Sequence, residues 1–355
     1  MFVESFLKEA AARKASDIFV IVGKPVSLKV NGRTYPFDEH ILAPRDTEAI
    51  LKEFYQLAGN RDFSLLDGGN DDFALTVPDV ARFRVNAYRQ NMSCASVVRL
   101  VPVKTPNPDD INIPSTIMNL TNYTRGILLF TGTTGSGKST SLACLIDRIN
   151  RERDNHIITI EDPVEYRHAH KKSVISQREI GSDTGSYLDA LRAAMRQVPD
   201  VILVGEMRDH ETISAAITAA ETGHLVLSTL HTIGSAATVD RIIDVFPPNQ
   251  QNQIRTQLSL TLQAVVSQQL IPTLDGKLHP AFEIMIVNSA IRNLIRENKV
   301  FQIENTIQTS ASTGMKTMDM SLADLYRRRI ISKDDALLYS VNQQTMATRL
   351  GGQMI

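Results

Sequence analysis

The stretch that most constrains this chain is GTTGSGKS, residues 132–139 of 355. It satisfies G-x-x-x-x-G-K-[ST], and its neighbours supply the context that the motif needs. The apolar run GILLF before it reads as a buried strand. SGKSTSLACLIDRIN reads as a helix with Leu142, Leu145, Ile146 and Ile149 along one side. Glycines let a strand turn sharply into a helix so that successive backbone N–H groups converge, and the helix N-terminus adds its positive dipole end. Such a loop holds phosphate. Gly132, Thr133, Thr134, Gly135, Ser136, Gly137, Lys138, Ser139 and Thr140 are the nucleotide-binding residues expected here. Lys138 would reach the β- and γ-phosphates and Ser139 would offer its hydroxyl to Mg2+, so ATP and Mg2+ are the expected ligands.

After the loop, strands HIITI (156–160), VILV (201–204) and HLVLSTL (224–230) alternate with helices SYLDALRAAMRQ and ETISAAITAAETG. Apolar strands separated by helices predict a mostly parallel sheet covered on both faces. Helices are expected to dominate the C-terminal part, over 248–270, 289–298, 318–329 and 333–339. The first hundred residues read differently. SDIFVIVGKPVSLKVNGRTY has a hairpin-like pattern with turn signals at Gly23-Lys24-Pro25 and Asn31-Gly32. A helix is expected over 46–57, then strands DDFALTV, ARFRVNAYRQ and CASVVRLV. Four prolines in PVKTPNPDDINIP (102–114) mark an exposed boundary. The expected organisation is an N-terminal α+β domain (1–101), a linker (102–116), an ATPase core (117–275) and a C-terminal helical part (276–355).

Composition excludes several classes. The net charge is −1 at pH 7 and the charges are interspersed, so no polybasic face is offered and no nucleic-acid partner is expected. Glu4, Lys8 and Glu9 interrupt the amphipathic N-terminus, and no run approaches the ~18 apolar residues of a membrane span. Cys94 and Cys144 are far apart and lack CxxC partners, which argues against a zinc ribbon or a disulfide framework. The reducing cytoplasm is the expected setting.

Hydrolysis needs a carboxylate that orients or deprotonates water. Glu206 lies just past VILV, with Gly205 where an aspartate is usual. Glu161, Asp162 and Glu165 lie just past HIITI. Ligands of such sheets bind beyond the carboxyl ends of the strands, so either cluster can face the phosphate. Glu161 or Asp162 can equally serve only to cap the turn at Pro163. His231 ends a fourth strand and is expected to contact the γ-phosphate. His224 begins that strand and belongs at the opposite edge of the sheet. Arg82 and Arg84 share one face of a first-domain strand at period two. Such a pair is usually just solvated, but in a ring ATPase it can supply charge in trans.

The motifs KASDIFV, ARFRVN, TGTTGSGKST, TIEDPVEY, DVILVGEMRD, TAAETGHLVLSTLHT and AIRNLIRE occur in this order. Through them nearly the whole chain resembles the PilT-type ATPases, the retraction motors of type IV pili within the type II/IV secretion ATPase superfamily. The resemblance implies an α/β fold: a RecA-like P-loop NTPase domain preceded by a smaller α+β, PAS-like domain, with C-terminal helices. It implies a homohexamer that hydrolyses ATP to retract pili and drive twitching, each first domain packing on a neighbour's nucleotide domain. By position, Glu165 corresponds to the family's water-activating glutamate and Glu206 to the Walker B carboxylate near Mg2+. His231 corresponds to the nucleotide-sensing histidine, and Arg82 and Arg84 to first-domain arginines that approach ATP. AIRNLIRE is near the retraction signature. A helix anchored by Ile291, Leu294 and Ile295 would leave Arg292, Arg296 and Glu297 free to face water or a partner, which the resemblance implies is the pilus machinery. The expected partner is the platform protein at the inner face of the cytoplasmic membrane, with the motor cytoplasmic and peripherally associated.

The chain departs from the family at Thr133, where proline is common, at Ile18-Phe19 in place of Leu-His, and at Val198-Pro199 in place of Asp-Pro. None of these removes a catalytic group. The alternatives, pilus-assembly or type II secretion ATPases, commonly carry a longer N-terminal region and a tetracysteine zinc site. A nucleic-acid translocase on the same motor fold would want a basic channel.

Overall fold

The computed structural model describes residues 2–30, 33–78, 80–101 and 105–351, which group into two units. One is Met1–Lys104 with Glu165–Arg167, and the other is Thr105–Val164 with His168–Ile355. The expected Asn31-Gly32 turn and residues 102–104 of the expected linker lie outside the described residues.

In the first unit the chain runs α1 (Phe2–Ala12), β1 (Asp17–Val20), β2 (Ser27–Val30), β3 (Arg33–Pro36), α2 (Pro44–Leu57), β4 (Asn70–Val77), β5 (Ala81–Gln90) and β6 (Ser93–Val101). The strands form an antiparallel sheet in the order β3-β2-β1-β6-β5-β4. Period-two alternation decides what faces inward. On β5, Ala81, Phe83, Val85 and Ala87 are buried, while Arg82 and Arg84 share the other face. The buried side packs against both helices, where Phe6 and Phe54 meet edge to face at 6.0 Å.

The second unit contains β7 (Gly126–Thr131), α3 (Lys138–Glu152), β8 (His156–Glu161), β9 (Val174–Glu179), α4 (Tyr187–Ala194), β10 (Val201–Val204), α5 (His210–Glu221) and β11 (Leu225–Leu230). There follow α6 (Ser235–Asp244), α7 (Pro248–Thr261), β12 (Leu262–Pro272), β13 (Leu278–Ile286), α8 (Ser289–Arg296) and further short helices through Arg349. Among the described residues the sheet order is β13-β12-β7-β11-β10-β8-β9, parallel except for β13. Both faces are dry, as continuous apolar strands require. Leu128, Phe130 and Leu227 meet Leu142, Leu145, Ile146 and Ile149 of α3 on one side. Ile127, Leu129, Ile202 and Val226 meet α4, α5 and α7 on the other.

The helix expected over 248–270 is corrected. α7 stops at Thr261, and LQAVVSQQLIP forms β12, paired in parallel to β7 and antiparallel to β13. Leu258, Leu262, Val265 and Val266 also fit a helical spacing, so periodicity alone cannot separate the two states. The unpaired edge of β7 decides in favour of a strand. The β12–β13 pair also spans the boundary expected at 275/276, so strands as well as helices build this part of the chain.

Candidate functional site

The phosphate loop connects β7 to α3. Gly132 has φ +137°, and a Cβ there would fall 2.3 Å from the Gln268 carbonyl oxygen. Gly137 has φ +91°, and a Cβ there would fall 2.7 Å from the Gln268 Nε2. Both positions therefore need glycine for backbone conformation, and Gly132, which faces a backbone oxygen, needs it for space as well. Thr133, Thr134, Gly135 and Ser139 are exposed along the outer arc, Thr140 is half-buried, and Ser136 and Lys138 are buried. Lys138 Nζ donates to Gly132 O at 2.7 Å and to Thr133 O at 2.9 Å, so the ammonium closes the loop on itself. Burial pushes its pKa down, and the Glu206 carboxylate pushes it back up. Ser136 Oγ is buried without a hydrogen-bond partner. An orphaned hydroxyl and a tethered ammonium in one strand-to-helix loop suit a phosphate ligand.

Three strand ends converge beside this loop. Gly205 N donates to Ile160 O at 2.8 Å and Met207 N to Thr229 O at 3.3 Å, so the chain leaving β10 is held between β8 and β11. Glu206, between them, is paired at both carboxylate oxygens: Oε1 with Arg208 Nε at 2.8 Å and Oε2 with His231 Nε2 at 3.3 Å. The structure thus brings Glu206 and His231 together past the carboxyl ends of the strands. His224 lies at the amino end of β11, where Gly126 N donates to its carbonyl, as expected.

The acidic residues at and just past the end of β8 differ in setting. Glu161 Oε1 accepts from Thr159 Oγ1 at 2.6 Å and from Gln177 Nε2 at 3.4 Å, which holds it in the sheet. Asp162 is exposed and lines a cavity of about 410 Å³ with Tyr187, Glu206, Arg208, Asp209 and Thr212. Glu165 is exposed and groups with the first unit. Arg82 and Arg84 also belong to the first unit. Arg84 lies 3.8 Å from Asp72 on the adjacent strand.

Sequence reasoning missed two residues. A Cβ on Gly205 would stand 3.0 Å from the Tyr187 hydroxyl, so Tyr187 closes off the space where a side chain would project. Burial pushes this phenol up, and Glu206, Asp162 and Glu161 add to the shift. Gln268 was hidden inside the misread helix. Its signal was the polar SQQ within the otherwise apolar AVVSQQLI.

The outward placement expected for Arg292 is also corrected. Its Nη1 donates to Ser259 O at 2.6 Å and Leu260 O at 3.0 Å, and its Nη2 to Gln263 Oε1 at 3.1 Å. It caps the carboxyl end of α7, whose last carbonyls lack helical partners. Arg296 is exposed and bonds only locally, to Asn293 Oδ1. Ile291 and Ile295 are fully buried, with Leu294 partly so.

Comparison with known proteins agrees with this arrangement. Residues 110–345 match the family described as type II/IV secretion system protein. The type IV pilus retraction ATPase PilT of Pseudomonas aeruginosa is 43% identical over 95% of this chain and 97% of its own. A twitching motility protein of Neisseria gonorrhoeae is 50% identical over 78% of this chain and 74% of its own. A crystal structure of the pilus retraction motor PilT with bound ADP superposes with a TM-score of 0.89 at 42% identity, covering 96% of this chain and 97% of that one. A strand-to-helix phosphate loop beside an acidic strand end, on a chain this similar throughout, places the protein in the type II/IV secretion system protein family, among the PilT-type ATPases of type IV pilus retraction.

Proposed function

We propose that the chain is a motor that hydrolyses ATP to retract type IV pili, working as a homohexamer docked on the pilus machinery at the inner face of the cytoplasmic membrane. The observation that carries this reading is the tethered Lys138 in a loop flanked by the Glu206–His231 pair. ATP enters with its β- and γ-phosphates in the loop, and Lys138 exchanges the Gly132 and Thr133 carbonyls for phosphate oxygens. Ser139 and Glu206 would hold Mg2+, which supplies charge neutralisation across the phosphates. Glu165 orients water and accepts its proton as the new P–O bond forms and the β–γ bridge breaks. His231 reports the γ-phosphate to Glu206. Arg82 and Arg84 act on a neighbouring chain's nucleotide.

The test combines hydrolysis with motility. Glu165→Gln is expected to bind ATP normally and lose hydrolysis by about a hundredfold or more. Cells carrying it should display pili and fail to twitch. Turnover near wild type would return the role to Glu161 or Glu206. Loss of surface pili on deletion of the gene would indicate an assembly motor instead.

A further inference from the structure

Strand β12 carries two adjacent buried polar residues, Ser267 and Gln268, beside the phosphate loop. Ser267 is paired in register with Thr131, the last residue before the phosphate loop. Consecutive strand residues point to opposite faces, so the two side chains reach different loops.

Gln268 touches the phosphate loop at two places and the helix that follows it at a third. Its carbonyl oxygen packs against Gly132 at the loop's entry, and its Nε2 packs against Gly137 at the exit. Its Oε1 accepts from Ser141 Oγ at 2.8 Å in the first turn of α3. Ser267 Oγ accepts from Gly234 N at 3.1 Å, in the segment that joins His231 to α6. Glu283 on β13 continues the same support, Oε1 accepting from Ser235 N at 2.6 Å. A converging set of donors works only when its geometry is held to within about half an ångström, and that precision comes from locked neighbours.

We propose that Gln268 is the positioning residue that sets the curvature of the phosphate loop, and that Ser267 does the same for the loop behind His231. One edge hairpin thus holds both sides of the nucleotide site in register. The Ser267 half rests on the reading of His231 given above, and the Gln268 half does not.

The experiment uses the full-length protein, with ADP binding, steady-state ATP hydrolysis and thermal midpoints read on the same samples. Gln268→Met keeps the length and removes the amide, and Ser141→Ala removes the same hydrogen bond from the other side. Each is expected to weaken ADP binding by roughly three- to tenfold, the equivalent of one neutral hydrogen bond. The double variant should bind no more weakly than the worse single one. A lowered midpoint with unchanged ADP affinity, or a double variant whose loss is the product of the two singles, would overturn the Gln268 assignment. Ser141→Ala reads the same bond should Gln268→Met fail to fold. Ser267→Ala is expected to lower kcat with KM unchanged, in the same direction as His231→Ala. If His231→Ala lowers kcat and Ser267→Ala does not, the Ser267 assignment fails while the reading of His231 stands. If His231→Ala leaves kcat intact, that reading fails and takes the Ser267 half with it.

Discussion

Arg292 and Arg296 lie one helical turn apart and look equivalent in sequence, yet they should behave differently on mutation. Arg292 makes three hydrogen bonds, two to the carboxyl end of α7 and one to Gln263 at the start of β12. Hydrogen bonds to charged groups contribute about 1.5–3 kcal/mol each, but the guanidinium is only half-buried and the freed carbonyls can take up water. A total near 2 kcal/mol is therefore expected for Arg292→Ala. In a unit of this size that lowers the unfolding midpoint by about 4–8 °C. Arg292→Lys should recover only part of the loss, because an ammonium cannot form the fork that spans two carbonyls and an amide. Arg296→Ala, exposed and bonded only to Asn293, should stay within about 0.5 kcal/mol. The assay is thermal and urea unfolding of the three variants beside ATP hydrolysis and twitching. Wild-type stability in Arg292→Ala, with twitching lost, would refute the capping argument and make Arg292 a free coupling residue after all.

Mixing Arg84→Ala chains with Lys138→Ala chains should restore part of the hydrolysis that each alone has lost, because some interfaces then combine an intact loop with an intact arginine. Mixed rings as inactive as either parent would remove the support for action in trans. Burial holds the His168 imidazole at about 4, below its ordinary 6.5. The unfolded chain therefore binds a proton first, and stability is full above about pH 6.5 and falls as the pH drops towards 4, by up to about 3 kcal/mol. Urea melts across that window should be flatter for His168→Gln, and parallel slopes would exclude this residue as the source.

The candidate site was legible in the sequence where local pattern and chemistry coincide. GTTGSGKS between an apolar strand and a helix allows few outcomes, and the placing of Glu206 and His231 at strand ends could be read because an acidic or imidazole side chain just past an apolar run must emerge at the strand's carboxyl end. What lies beside them was not legible. Nothing in VILVGE says that a tyrosine from α4 crowds Gly205, because Tyr187 precedes it by eighteen residues and arrives only when the helix folds back over the sheet.

The sequence by itself determined the buried strands, the helices between them and the phosphate loop, since each follows from periodicity and backbone freedom over ten or fifteen residues. Tertiary structure alone decided the rest. Residues 262–270 are strand because β7 offers an unpaired edge, although their spacing also suits a helix. Arg292 is a cap because α7 ends within its reach, although its position on α8 looks solvent-facing. Gln268 holds the phosphate loop across 127 residues of chain, through a hydrogen bond to Ser141 that no local pattern encodes. In each case the deciding partner is distant in sequence, and its free energy outweighs a local preference worth only a few tenths of a kcal/mol per residue.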